Sequence, residues 1–172
     1  MQEMLDTYDI NGNFLGIKTR DECHKANPGV YHKIVSILVV NDKNEILVQK
    51  RALCKKQYPD KWDMPAGHID AGESNLSTCV RETYEELGIK TKADDFKHLK
   101  EWVNKKQWEI FEIYILKTKQ EISHMKIQKE EVQEVKYLKY DQLISLLYSN
   151  SFSGHDKEFK DFVACELKKY VC

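Results

Sequence analysis

GHIDAGESNLSTCVRETYEELGI (Gly67–Ile89) carries Glu82, Glu85 and Glu86 at i, i+3 and i+4, a spacing that puts three carboxylates on one face of a helix. Like charges this close repel one another. A divalent cation relieves the repulsion, because hard ions such as Mg²⁺ take oxygen ligands and carboxylates offset their charge. Gly72 breaks the chain ahead of the helix, Ser74 is a good N-cap, and Gly88 stands where a helix C-terminus takes a left-handed residue. Leu76, Cys79, Val80, Thr83 and Leu87 recur at helical spacing. At about 100° per residue this stripe points roughly a third of a turn from the glutamates. One face is therefore expected to pack on a core while its neighbour presents carboxylates to a cleft. An isolated ExxEE would equally describe a solvated acidic helix face.

The pattern is longer than ExxEE. Gly67, Glu73, Arg81, Glu82, Glu85, Glu86 and Gly88 keep the spacing G-x5-E-x7-R-E-U-x-E-E-x-G-U, with Ile89 at the last aliphatic position and Thr83 at the first. If each residue type fills roughly one position in fifteen, seven fixed matches coincide by chance about once in 10⁸ placements. The stretch resembles the Nudix box. The resemblance implies an α/β/α sandwich with a mixed β-sheet, covering roughly residues 31–172, and a loop–helix–loop that binds Mg²⁺ or Mn²⁺ against a diphosphate. It implies Glu82, Glu85 and Glu86 as metal ligands, often joined by the Gly67 carbonyl. Glu73 and Arg81 would hold the loop to the helix as an ion pair. Homodimers are frequent in the family, so the resemblance implies that assembly too.

The remaining sequence is consistent with one domain. At 172 residues the chain is long enough for a sizeable core; charged residues make up 32% and aromatic residues 10%, as in ordinary soluble proteins. A net charge of −1 gives no electrostatic reason to expect nucleic acid or membrane as a partner. No apolar run approaches the ~20 residues that span a bilayer, and MQEMLDTYDI has no basic n-region. The five cysteines are odd in number and lack zinc-ligand spacing, which favours reduced thiols in the cytoplasm. LDTYDINGNFLGIK (5–18) reads as a hairpin about Asn11-Gly12, and RDECHKANPG as a polar connector, so that residues 1–30 form an N-terminal extension packed on the main domain. KIVSILVVN (33–41) reads as a central strand, EILVQKRA as a second, IFEIYIL as a third and EVKYLKY as the last. Helices are expected at about Asp141–Tyr148 and Asp156–Tyr170.

Upstream of the box, Arg51-Ala52-Leu53, Lys55-Lys56, Pro59, Trp62 and Ala66-Gly67-His68 resemble isopentenyl-diphosphate isomerase, a member of the same superfamily. This resemblance implies diphosphate binding by Arg51 and Lys55 and metal-ligand positions at His32 and His68. The isomerase cysteine, however, is Ala66 here. Carbon-skeleton isomerisation needs an acid and a base on opposite faces of the substrate, and without a thiol at residue 66 one is missing. The reading is therefore metal-assisted attack of water on phosphorus in a nucleoside or other organic diphosphate, with Glu85 or Glu86 as the simplest base and Glu112, Glu130 and Glu131 as alternatives outside the box. Isomerisation and a non-catalytic nucleotide sensor are the competing readings. Trp62, Trp102, Trp108 and Tyr31 are candidates to stack on a base, or to pack in the core.

Overall fold

The structure, a computed structural model, describes residues 2–25 and 28–171; Ala26 and Asn27 of the polar connector and Cys172 lie outside the described residues. At its centre is β3 (Tyr31–Asn41), in which every residue but Lys33 and Asn41 is buried. A strand covered on both faces needs such a near-continuous apolar run. Its alternation splits the core in two. Ile34, Leu38 and Val40 join one cluster, whereas Val35, Ile37 and Val39 join the other.

On one edge β3 runs parallel to β8 (Glu109–Thr118), from His32 opposite Glu109 to Asn41 opposite Thr118. There β7 (Phe96–Asn104) continues the sheet antiparallel to β8. Three strands share the other edge in turn. β1 (Met4–Tyr8) pairs at Thr7–His32, β6 (Ala66–His68) along Ile34–Ser36, and β4 (Ile46–Arg51) at Val40–Ile46. β2 (Phe14–Thr19) pairs with β1, while β5 (Trp62–Asp63) and β9 (Val132–Leu138) pair with β4. Among the described residues this makes one mixed, nine-stranded sheet. The expected hairpin is present and extends the sheet through β1.

The helices cover both faces. α2 (Asn75–Leu87) lays Cys79 and Leu87 on one core, and α3 (Tyr140–Leu147) and α4 (Lys157–Val171) lay Leu143, Leu147, Phe159, Val163 and Leu167 on the other. The result is the α/β/α sandwich expected from the sequence. The polar connector differs from expectation. It contains α1 (Arg20–Cys23), a single turn closed by reciprocal hydrogen bonds between Thr19 and Glu22. EVKYLKY also ends as a strand at Leu138, because Tyr140 already opens α3. No helix of the described residues is long and apolar enough to cross a membrane.

Local chemistry sets both ends of α2. The Ser77 amide donates to Ser74 Oγ at 3.2 Å, and the Ser74 amide donates to Ser77 Oγ at 3.0 Å. Ser74→Ala is expected to cost about 1 kcal/mol, read in thermal unfolding as a Tm lower by about 2–4 °C. At the other end Gly88 has φ 69°, and a Cβ there would lie 2.8 Å from the Lys126 amide nitrogen. That close approach lets the segment before β9 reach the helix end: Lys126 N–H donates to the Leu87 carbonyl and Gln128 N–H to that of Glu86, both at 3.1 Å.

Candidate active site

Arg81 organises the acidic face of α2. Its Nη2 donates to Glu73 at 2.8 Å and to the His68 carbonyl at 3.0 Å; its Nη1 donates to Glu82 at 2.8 Å and to Glu85 at 3.3 Å. One guanidinium thus joins the loop, β6 and the helix, which is more than the single Glu73–Arg81 pair implied by the resemblance. Its hydrogen bonds hold the Glu73 carboxyl below its usual range despite burial. Burial, opposed by Arg81, pushes Glu82 up to about 7. Burial and the neighbouring Glu82 charge push Glu86 up to about 8, although Gln49 Nε2 donates to it at 2.8 Å. Glu85 remains largely exposed. A Cβ on Gly67 would fall 1.9 Å from the Glu82 carboxyl carbon, so the carboxylate lies directly over that glycine. Hard oxygen donors crowded together and short of counter-charge fit a divalent cation. Thr83, at the usual aliphatic position, is fully buried and donates its hydroxyl to the Cys79 carbonyl at 2.8 Å.

The acidic face opens on a cleft of about 220 Å³ that also receives Arg51, Lys55 and Glu131. Arg51 Nε is anchored on the Gln57 carbonyl at 3.2 Å, and Lys55 pairs with Glu131. Glu130 faces a neighbouring hollow instead. The structure does not bring Glu112 to the cleft. It is bound by Lys33 Nζ at 2.7 Å and His98 Nε2 at 2.9 Å on the α2 side of β8, whereas Glu109 and Phe111, of the opposite parity, line the cleft. None of the four aromatic candidates lines it either: Trp102 packs on Phe159 and Phe162, Trp108 on Tyr31, and Trp62 is buried in the core. The rings that line the cleft are those of Tyr58 and Phe111 and the imidazoles of His68 and His155.

His68 lines the cleft, where it stacks on His32 with centroids 5.2 Å apart, and His24 meets both rings edge-on at 5.1 and 5.3 Å. A ring nitrogen from each lies within 4.8 Å of the others. Both nitrogens of the fully buried His32, and Nε2 of His68, have no hydrogen-bond partner. Burial holds all three imidazoles below their usual pKa, His32 at about 3. Neutral imidazoles with free lone pairs suit a transition-metal ion better than Mg²⁺. Glu109 lies 4.0 Å from His32 Nε2, and burial pushes its carboxyl up to about 7. Sequence reasoning found His32 and His68 but not His24, which it placed in the connector, nor Glu109.

Residues 30–162 match the family described as the NUDIX domain. The chain belongs to the Nudix family. An uncharacterised Nudix hydrolase of Listeria monocytogenes is 32% identical over 87% of this chain and 88% of its own length. Nudix hydrolase 3 of Arabidopsis thaliana is 30% identical over 92% of this chain, but the chain spans only 21% of that protein. Isopentenyl-diphosphate Delta-isomerase of Streptomyces griseus is 34% identical over half of this Nudix chain and 44% of its own. The crystal structure of DR0079 from Deinococcus radiodurans shares the fold, with a TM-score of 0.73 at 16% identity over 97% of this chain and 98% of that one. Nudix hydrolases generally use divalent metal ions, which agrees with the carboxylate set on α2.

Proposed function

We propose that this Nudix enzyme is a divalent-metal-dependent hydrolase that splits the phosphoanhydride bond of an organic diphosphate, X–P–P–Y, by attack of water on phosphorus. The observation that carries the reading is the meeting of Glu82, Glu85 and Glu86 with Arg51 and Lys55 in one cleft. Glu82, Glu85, Glu86 and the Gly67 carbonyl would hold Mg²⁺ or Mn²⁺. When bound, the ion neutralises phosphate oxygens and stabilises the leaving phosphate. Arg51 and Lys55 supply fixed positive charge to the remaining oxygens. Arg81 and Glu73 act as positioning residues, holding the carboxylate face against β6. Glu131 joins Glu85 and Glu86 as a group placed to accept the proton of the attacking water.

The cysteines support hydrolysis over isomerisation. Residue 66 has no thiol, Cys79 is fully buried under α2, and neither Cys79 nor Cys54 lines the cleft. Incubation with Mn²⁺ and a mixed panel of nucleotides, nucleotide sugars and isopentenyl diphosphate, followed by mass spectrometry, is expected to show chelator-sensitive phosphoanhydride cleavage. Formation of dimethylallyl diphosphate would overturn the reading.

The unpartnered nitrogens of His32 and His68, with the His24 ring against both, favour a second, nitrogen-rich metal position at His24, His32 and His68 beside the same cleft. Co²⁺ titration of Glu86→Gln is expected to give a visible ligand-field band that is absent from Glu86→Gln/His24→Ala. Identical spectra would remove this position.

A further inference from the structure

The imidazole of His155, just ahead of α4, lines the cleft and is 14% exposed. It is held rigidly. The ring stacks on Phe159 with centroids 4.4 Å apart and meets Phe111 edge-on at 5.6 Å. Its backbone is seated by the His155 amide, which donates to the Ser153 carbonyl at 2.9 Å, and by Gly154, where a Cβ would lie 2.6 Å from the Tyr58 ring. Nε2 of His155 pairs with Oδ1 of Asp63 at 3.1 Å. Asp63 closes β5 and is 7% exposed. Its Oδ1 also accepts from the Met64 amide at 2.9 Å, and Arg51 Nη1 lies 3.8 Å from Oδ2. Burial alone would raise the Asp63 carboxyl, but His155 and Arg51 hold it below its usual range. The other ionisable groups at this end of the cleft are Arg51, on β4, and Glu109, on β8.

An ionised carboxylate on one imidazole nitrogen fixes the tautomer and favours the charged ring. Here it commits the Nε2 proton to Asp63 and leaves Nδ1 as the nitrogen that can exchange a proton with a bound molecule. The groups already assigned to the diphosphate cannot take this part. Arg51 does not give up its proton, Lys55 is paired with Glu131, and the carboxylates of α2 serve the metal or the attacking water. In-line displacement puts the departing oxygen on the far side of phosphorus from that water. A proton donor is therefore wanted away from the base, and Arg51 brings the diphosphate to Asp63 and His155.

We propose that His155 is a catalytic residue, the general acid that protonates the departing oxygen from Nδ1, and that Asp63 is its positioning residue. This deepens the hydrolase reading and rests on it. The water oxygen bonds to phosphorus as the bridging P–O bond breaks. The electron pair of that bond stays on the bridging oxygen, which takes the Nδ1 proton, while the water's proton passes to the glutamate base. His155 is left neutral and is reprotonated from solvent.

The kinetic test follows kcat against pH, with Mg²⁺ and a diphosphate cleaved by the wild-type protein. Wild-type kcat is expected to fall on the alkaline side of its profile. His155→Gln is expected to lower kcat about 10²- to 10³-fold, leave KM nearly unchanged and lose that alkaline limb. Asp63→Asn removes the charge that favours the imidazolium, so its limb is expected to move to lower pH. A limb that persists in His155→Gln would give the proton to another group, such as Glu109, and overturn the proposal. A second readout uses wild-type protein alone and does not depend on how a variant folds. In ¹⁵N spectra of histidine-labelled protein at fixed pH, imidodiphosphate with Mg²⁺ is expected to shift Nδ1 of His155 towards the protonated position and to leave Nε2 in place. An unmoved Nδ1 would overturn the proposal. A shifted Nδ1 in a protein that cleaves no diphosphate would retain the proton contact and lose the hydrolase reading.

Discussion

Glu86→Gln is expected to lower kcat by about two to four orders of magnitude, the range associated with losing a positioned acid–base or charge-stabilising group. Glu86 is 6% exposed and is the most deeply placed of the three α2 carboxylates. Glutamine keeps its volume and removes its charge. The fold should survive, because in the metal-free protein that charge is a liability. The folded-state pKa, about 8, lies above the ordinary 4.5 of an unfolded chain, so folding favours the protonated form. The contribution of Glu86 is therefore fully present below about 4.5 and is lost as pH rises towards 8. Glu82, pushed up to about 7, acts in the same direction. With chelator, wild-type Tm should fall across this window, and the fall should be shallower in Glu86→Gln. Saturating Mn²⁺ should raise wild-type Tm near pH 8 and raise that of the variant less. Near-normal turnover together with an undiminished Mn²⁺ response would remove Glu86 from the metal site.

The second large effect comes from one methyl group. Gly67→Ala places a Cβ 1.9 Å from the Glu82 carboxyl, a clash that only displacement of the carboxylate or of β6 can relieve. Overpacking of this kind costs about 1–3 kcal/mol, and a ligand moved by about 1 Å can cost on the order of 10²-fold in rate. We expect kcat/KM for a diphosphate substrate to fall about 100-fold with a Tm loss of a few degrees. Wild-type kinetics in Gly67→Ala would show that Glu82 has room to spare and that its position over the glycine is not needed for activity.

The acidic helix was legible because its reasons are local. The Ser74 cap, the Gly88 turn and the three-and-four spacing of the glutamates are all contained within one short window. The two-sided burial of β3 was legible for the same reason, from an apolar run that no half-exposed strand would carry. The rest of the cleft is assembled across the chain. Asp63 and His155 meet although 92 residues separate them, and no periodicity announces such a pairing. Glu112 and Glu109 illustrate a different limit. Both lie on β8, but alternate residues face opposite sides, and the apolar run around them does not reveal which parity faces the cleft. His24 was hidden in polar sequence because a four-residue helix is too short to carry a periodic signal.

The contact between the end of α2 and the segment preceding β9 has a mechanical consequence. The Gln128 amide is tethered to the carbonyl of Glu86 itself, and three residues later Glu131 lines the same cleft. Glu86 and Glu131 are thus linked by a short hydrogen-bonded path, closed by the Glu131 amide on the Gln128 carbonyl at 2.9 Å, although 45 positions separate them in the chain. Inserting a single residue between Gln128 and Glu131 would move Glu131 relative to Glu86 without replacing any group that lines the cleft.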